Sequence, residues 1–183
     1  MKYSKKELTK KSRFLSMILR HHPEVIQLKI DKYGWGEVSQ ICNKMHMEKE
    51  TLDEIVKNDT KGRYEYNEDE TFIRATQGHS INVDVSLQEC KPPDILYHGT
   101  SKKAFSNILA TGIVPNGRLY VHLSLDYATA LSVGNRHGKP VVLKIDSRQM
   151  YDDGYTFFKS KNNVWLIKYV PIHYLTALDE LSK

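Results

Sequence analysis

Cysteine is scarce in this chain: 183 residues hold two, Cys42 and Cys90. They match no zinc-ligand spacing and are too few to staple a fold with disulfides, so stability must come from a buried core and a reducing compartment suits the protein. Long hydrophobic runs are missing as well. No stretch approaches the ~20 apolar residues of a membrane span, and the opening "MKYSKKELTKK" is basic but has no apolar segment of the kind a secretory leader needs. A cytoplasmic protein without a membrane partner is the expectation. Repeats and low-complexity tracts are also absent, which argues against solenoids and disordered tails. What remains is 40% hydrophobic, enough for one sizeable core or two small ones.

The formal charge of +5 is modest, so its distribution matters more than its total. Residues 1–20 carry seven Lys/Arg against one acidic residue, residues 21–90 carry eight against fourteen, and residues 91–183 carry twelve against seven. The surplus thus sits in the second half, with a basic cluster at the start. Basic surface of this kind attracts phosphate backbones and makes binding salt-dependent.

Periodicity predicts two unlike halves, and an α+β fold. Ser4 and Glu7 have capping-box spacing, and Leu8, Leu15, Ile18 and Leu19 share one helical face, so a first helix should run over about 5–20. Pro23 disfavours helix at His22 and leaves Arg20 and His21 in the last turn. Val38, Ile41, Cys42 and Met45 predict a second helix, and Leu52, Ile55 and Val56 a third. "RYEY-NEDE-TFIR" reads as a hairpin. Helices followed by a hairpin suggest a winged-helix-like lobe over residues 1–80. Residues 81–94, with turn formers and a Pro-Pro pair, are expected to be a linker. Beyond it, over 95–183, strands alternate with helices: "ILYHGT", a helix capped by Ser101 and stopped by Gly112, "RLYVHLS", a short helix capped by Asp126, then "PVVLKID", "YTFF" and "NVWLI".

Single motifs in this sequence are ambiguous. Cations in the last turn of a helix, such as Arg20, His21 and His22, satisfy its free carbonyls and its dipole without any ligand. Adjacent histidines point in different directions, so no metal site is expected there. Arg63 in "KGRYEY" reads by itself as a surface arginine. His98 with Gly99 and Thr100, at the end of a strand, gathers an imidazole, a flexible backbone and a hydroxyl suited to a nucleotide, though a hydrogen-bonded core histidine has the same signature. Gln77, His79 and Ser80 collect polar groups in a turn.

As a set these pieces are far more specific. "LSMILRHHPEVIQLKIDKYGWGEV", "NDTKGRYEY", "IRATQGHS", "LYHGTS", "GRLYVHLS", "VGNRHGKPVVLKI" and "NNVWL" follow the order and approximate spacing found in the RNA 2′-phosphotransferases of the bacterial KptA type, which the chain resembles from its first helix to about Pro171. The resemblance implies an N-terminal RNA lobe of winged-helix type and a C-terminal NAD lobe with the ADP-ribosyltransferase fold. It implies removal of an internal RNA 2′-phosphate, such as tRNA splicing leaves, in two steps: transfer of ADP-ribose from NAD⁺ to the phosphate, then transesterification to ADP-ribose 1″,2″-cyclic phosphate. The family's Arg-His-Arg-Arg set falls on Arg20, His21, Arg63 and Arg118. Its NAD signatures fall on His98, Gly99 and Thr100, on His122 and Ser124, and on Val164, where many transferases of this fold carry glutamate. A phosphate arrives already ionised and needs no carboxylate to activate it. Gln77, His79 and Ser80 are secondary candidates in the RNA lobe, no metal is expected, and a monomer is expected.

Overall fold

The computed structural model describes residues 3–178, which divide into two compact units between Ser86 and Leu87. In the first unit, α1 (Lys5–Arg20) begins at Ser4, whose side chain accepts the Glu7 N–H while the Glu7 carboxylate accepts the Ser4 N–H at 2.7 Å. This reciprocal cap satisfies two donors that a bare helix end leaves open and contributes about 1 kcal/mol. Leu15, Ile18 and Leu19, at i, i+3 and i+4, are fully buried. They seat α1 on a core shared with Ile41, Leu52 and Ile73.

A short 3-10 turn at Pro23–Ile26 follows α1, and then come β1 (Gly36–Glu37), α2 (Val38–Lys44) and α3 (Lys49–Lys57). The hairpin of β2 (Tyr64–Tyr66) and β3 (Phe72–Ala75) completes an antiparallel sheet in the order β1-β3-β2, with Tyr64 opposite Ala75 and Gly36 opposite Ile73. Arg74 on β3 is buried, yet it is well satisfied. Its Nε donates to Glu65 at 2.6 Å, its Nη1 to the Tyr33 carbonyl at 3.0 Å, and its guanidinium lies 4.4 Å from the Trp35 ring centroid.

The second unit starts with β4 (Gln88–Glu89) and β5 (Ile95–Ser101), followed by α4 (Lys102–Thr111), β6 (Val121–Leu123), α5 (Tyr127–Gly134) and β7 (Pro140–Asp146). After α6 (Ser147–Asp152), β8 (Phe158–Lys159), β9 (Trp165–Ile167) and β10 (Leu175–Leu178) close two antiparallel sheets, ordered β10-β7-β5 and β4-β8-β9-β6. Paired backbone hydrogen bonds between Tyr97 and Ser124, 2.8 and 2.9 Å long, tie one sheet to the other. Leu96, Leu143, Ile145, Met150 and Phe157 fill the core. Antiparallel sheets with interspersed helices make the chain α+β.

The structure departs from the sequence expectation at two places that matter for function. Part of segment 81–94 is not a linker: β4 pairs with β8, and the Pro93 carbonyl accepts the Ser147 hydroxyl at 2.7 Å. A two-residue strand held by backbone bonds, with both side chains exposed, leaves no alternating pattern to read. The strand expected over "RLYVHLS" is shorter and covers only Val121–Leu123. Arg118 therefore lies in the exposed loop before β6.

No helix among the described residues is long and apolar enough to cross a membrane.

Candidate functional site

In the first unit one stretch of chain, Thr76–Ser80, touches three of the singled-out residues. The Thr76 N–H donates to the Arg63 carbonyl at 2.9 Å, and its hydroxyl donates to the Gly62 carbonyl at 2.9 Å, which fixes the start of β2. Two residues on, Gly78 takes a positive φ of 89° and lies flat against Arg20: a Cβ there would be 3.7 Å from the guanidinium carbon. Ser80 then donates its N–H to the Arg20 carbonyl at 2.9 Å and places its Oγ 3.0 Å from His21 Nδ1. The end of α1, the start of β2 and the exit of β3 thus meet around one loop. Gln77 is half-buried in it, between the Thr76 and Gly78 contacts.

Electrostatics at the helix end favour an anion more than the bare helix does. The negative end of a helix dipole repels a phosphate, but here the Ser80 and Ile81 N–H groups both point at the Arg20 carbonyl. Arg63 is held from the opposite side. Asp59, four residues earlier, accepts both the backbone N–H and the Nη1 of Arg63, and its side chain is 3% exposed where that of Arg63 is 32% exposed. One carboxylate oxygen thus anchors the Arg63 backbone and the other a single guanidinium nitrogen, a charge-assisted bond that restrains the side chain. Asp59 was not legible as a partner, because a charged pair at i, i+4 outside a helix has no sequence signature.

His79 is the buried member of the set, 3% exposed, and its Nε2 makes no hydrogen bond among the described residues. Burial first, then the charges of Arg20, His21 and Arg74, pull its pKa down from 6.5 to about 4. The ring is therefore neutral at pH 7. Because the folded value lies below the unfolded one, its contribution is complete above pH 6.5 and lost as pH falls toward 4. We expect the protein to lose up to about 3 kcal/mol from this group over that window. His79→Gln should flatten urea-midpoint curves between pH 7 and 4, and an unchanged slope would assign the acid sensitivity to other groups.

In the second unit, the latter half of β5 carries His98, Gly99 and Thr100, and its neighbour β6 presents His122. His98 Nδ1 lies 3.1 Å from the His122 carbonyl, and His122 Nδ1 lies 3.1 Å from the Tyr120 carbonyl. A carbonyl only accepts, so both rings carry their proton on Nδ1 in these bonds. Burial lowers the His98 pKa, and the bond to His122 only partly offsets it, which keeps that ring neutral with Nε2 as an acceptor.

Gly99 has a packing reason of its own. A Cβ there would stand 1.7 Å from the Ala130 carbonyl oxygen, and one at Gly134 would stand 2.8 Å from the Thr100 oxygen, so α5 lies backbone to backbone on β5. Ser124 follows β6 and carries the backbone bonds to Tyr97 already described. Val164, partly exposed, precedes β9 and closes a tight turn in which its N–H donates to Ser160 Oγ at 3.1 Å.

One loop thus joins an imidazole to two guanidinium-bearing segments, donor types that suit phosphate esters or similar oxyanions. Comparison with known proteins makes this specific. A family described as RNA 2′-phosphotransferase, Tpt1/KptA family, matches residues 6–169. A probable RNA 2′-phosphotransferase of Acaryochloris marina is 45% identical over 173 residues, 92% of this chain and 96% of its own. Another protein so described, from Flavobacterium johnsoniae, is 46% identical over 169 residues, 90% of this chain and 93% of its own. A third, from Fusobacterium nucleatum, is 45% identical over 172 residues, with 91% and 96% covered. The chain belongs to the RNA 2′-phosphotransferase family and is a transferase.

Proposed function

We propose that this chain removes an internal 2′-phosphate from RNA with NAD⁺ as co-substrate, in two steps. Its first unit serves as a winged-helix-like RNA lobe and its second as an ADP-ribosyltransferase-like NAD lobe. The observation that carries the reading is the Thr76–Ser80 loop, which binds the Arg63 carbonyl, packs on Arg20 and hydrogen-bonds His21. A phosphate monoester is nearly dianionic at neutral pH and calls for several fixed planar donors. Arg20 and Arg63 are two such donors in the first unit, and Arg118, in the loop before β6, is the candidate donor of the second.

NAD⁺ supplies a ribosyl carbon activated by a neutral leaving group. An oxygen of the RNA 2′-phosphate attacks that carbon, the bond to nicotinamide breaks, and nicotinamide leaves with the bonding pair. His98 supports such a ligand, since its acceptor Nε2 suits a ribose hydroxyl. Gly99, Thr100, His122, Ser124 and Val164 are the further NAD-binding candidates of this reading. Val164 adds no charge that would repel the incoming phosphate. In the second step a ribose hydroxyl of the transferred group attacks phosphorus and gives up its proton, while the RNA 2′-oxygen leaves and gains one. His21 moves that proton, with the arginines spreading the charge on phosphorus.

The test is incubation of the protein with a 2′-phosphorylated oligonucleotide, with and without NAD⁺. Dephosphorylated RNA and ADP-ribose 1″,2″-cyclic phosphate, formed only with NAD⁺, are expected. ADP-ribosylated RNA as the sole end product would make the chain an ADP-ribosyltransferase that stops after the first step. Binding without turnover would make it a nucleic-acid binder. The substrate class is RNA with an internal 2′-phosphate, as splicing leaves in tRNA, handled in the cytoplasm by a monomer.

A further inference from the structure

We propose that Ser80 is a positioning residue for His21, holding the imidazole with a hydroxyl that serves the ring in either protonation state; this rests on the role just given to His21. The two backbone N–H groups that bind the loop to the end of α1, from Ser80 and Ile81 to the Arg20 carbonyl, do not involve the Ser80 side chain. The hydroxyl is thus free of a structural duty in that attachment, and its contact is His21 Nδ1 at 3.0 Å.

The chemistry of the partner explains the choice. A ring that takes up a proton at Nε2 keeps its Nδ1 hydrogen and needs an acceptor there in both charge states, whereas the other neutral tautomer needs a donor. A carboxylate accepts only and stabilises the imidazolium, while a carbonyl accepts only and fixes one tautomer. A hydroxyl does both by rotating its hydrogen. Ser80 therefore fixes the plane of the ring in both halves of a proton transfer without favouring either charge state. The Ser80 hydroxyl brings no charge to the ring, whose other aromatic neighbour, His22, lies 6.4 Å away between ring centroids.

Ser80 is exposed, and Ser80→Ala leaves the backbone attachment intact, so the variant should fold. It is expected to lower kcat on the 2′-phosphorylated oligonucleotide by on the order of ten-fold or more, as misplacing a proton-transfer group does. KM should stay within about two-fold of the native value, ADP-ribosylated RNA should accumulate, and Ser80→Thr should restore turnover. Nitrogen-15 spectra of the free protein should show the Nδ1 and Nε2 shifts of His21 moving in Ser80→Ala and not in Ser80→Thr. Native kcat in Ser80→Ala, a change confined to KM, or a Thr variant as slow as the Ala variant would overturn the proposal. Native protein that makes no cyclic phosphate would sink the functional reading instead. The spectra, recorded without substrates, still decide the question in that case: unchanged His21 shifts in Ser80→Ala would overturn the positioning.

Discussion

Gly99→Ala should unfold the second unit. The methyl carbon would enter at 1.7 Å from the Ala130 carbonyl oxygen, 2.6 Å from its carbon and 2.9 Å from the Gly134 nitrogen. All three are backbone atoms, so no side chain can rotate away to make room. Relief requires α5 to lift from β5. At the end of the same helix a Cβ on Gly134 would stand 2.8 Å from the Thr100 oxygen, so α5 follows β5 closely over more than one turn. Separating the two elements would open the core around Ala130 and the β5–β7 pair, a cost well above the usual 1–3 kcal/mol for overpacking. A loss of about 4 kcal/mol or more is expected, most of what a domain of this size has to spare. Near-ultraviolet circular dichroism and thermal melting of purified protein would measure it. A melting midpoint within about 2 °C of the native one would mean that the contact relaxes easily.

His21→Ala should separate the two chemical steps. Attack by an already ionised phosphate needs no general base, so nicotinamide release should persist. The second step moves a proton, and loss of a group in that role costs about 10²- to 10⁴-fold. The expected result is ADP-ribosylated RNA that accumulates in place of cyclic phosphate, seen as a shifted oligonucleotide band. Arg63→Ala should stall at the same point, because the guanidinium restrained by Asp59 is lost where phosphorus gains a fifth ligand. If both variants made cyclic phosphate at the native rate, neither residue would belong to the second step.

How far the sequence led depended on whether side chains or backbone carried the signal. Helix α1 was legible to its ends, because Ser4 and Glu7 announce its start and Pro23 its stop. The helices from Val38 and Lys49, the hairpin, and the helices capped by Ser101 and Asp126 were legible for the same reason: apolar periodicity and capping chemistry are local. β1, β4 and β10 were not. Two of them are two residues long, and the third alternates weakly, with Thr176 and Ala177 exposed. Helix α6 was hidden behind "KID", where the N-cap Asp146 doubles as the last residue of β7.

The candidate site divides along the same line. Arg20, His21, Arg63, His98 and His122 were named from sequence because they stand in ordered segments. What connects them was not. The Asp59 carboxylate behind Arg63, the Thr76 bonds to Arg63 and Gly62, and the Trp35–Arg74–Glu65 stack join loops and strand ends whose pairing no periodicity announces. Gly99 was read as part of a nucleotide signature, whereas its close approach to Ala130 already requires glycine before any ligand is considered.

The hydrogen-bond partners of the imidazoles divide the labour among them. His98 and His122 lean on peptide oxygens, which commit each ring to the tautomer with its proton on Nδ1 and leave Nε2 as the acceptor. His79, enclosed beside cations, is kept from carrying charge at all. His21 is matched instead with the Ser80 hydroxyl, which can give or take a hydrogen bond, so this contact leaves the choice of tautomer open where the peptide oxygens close it.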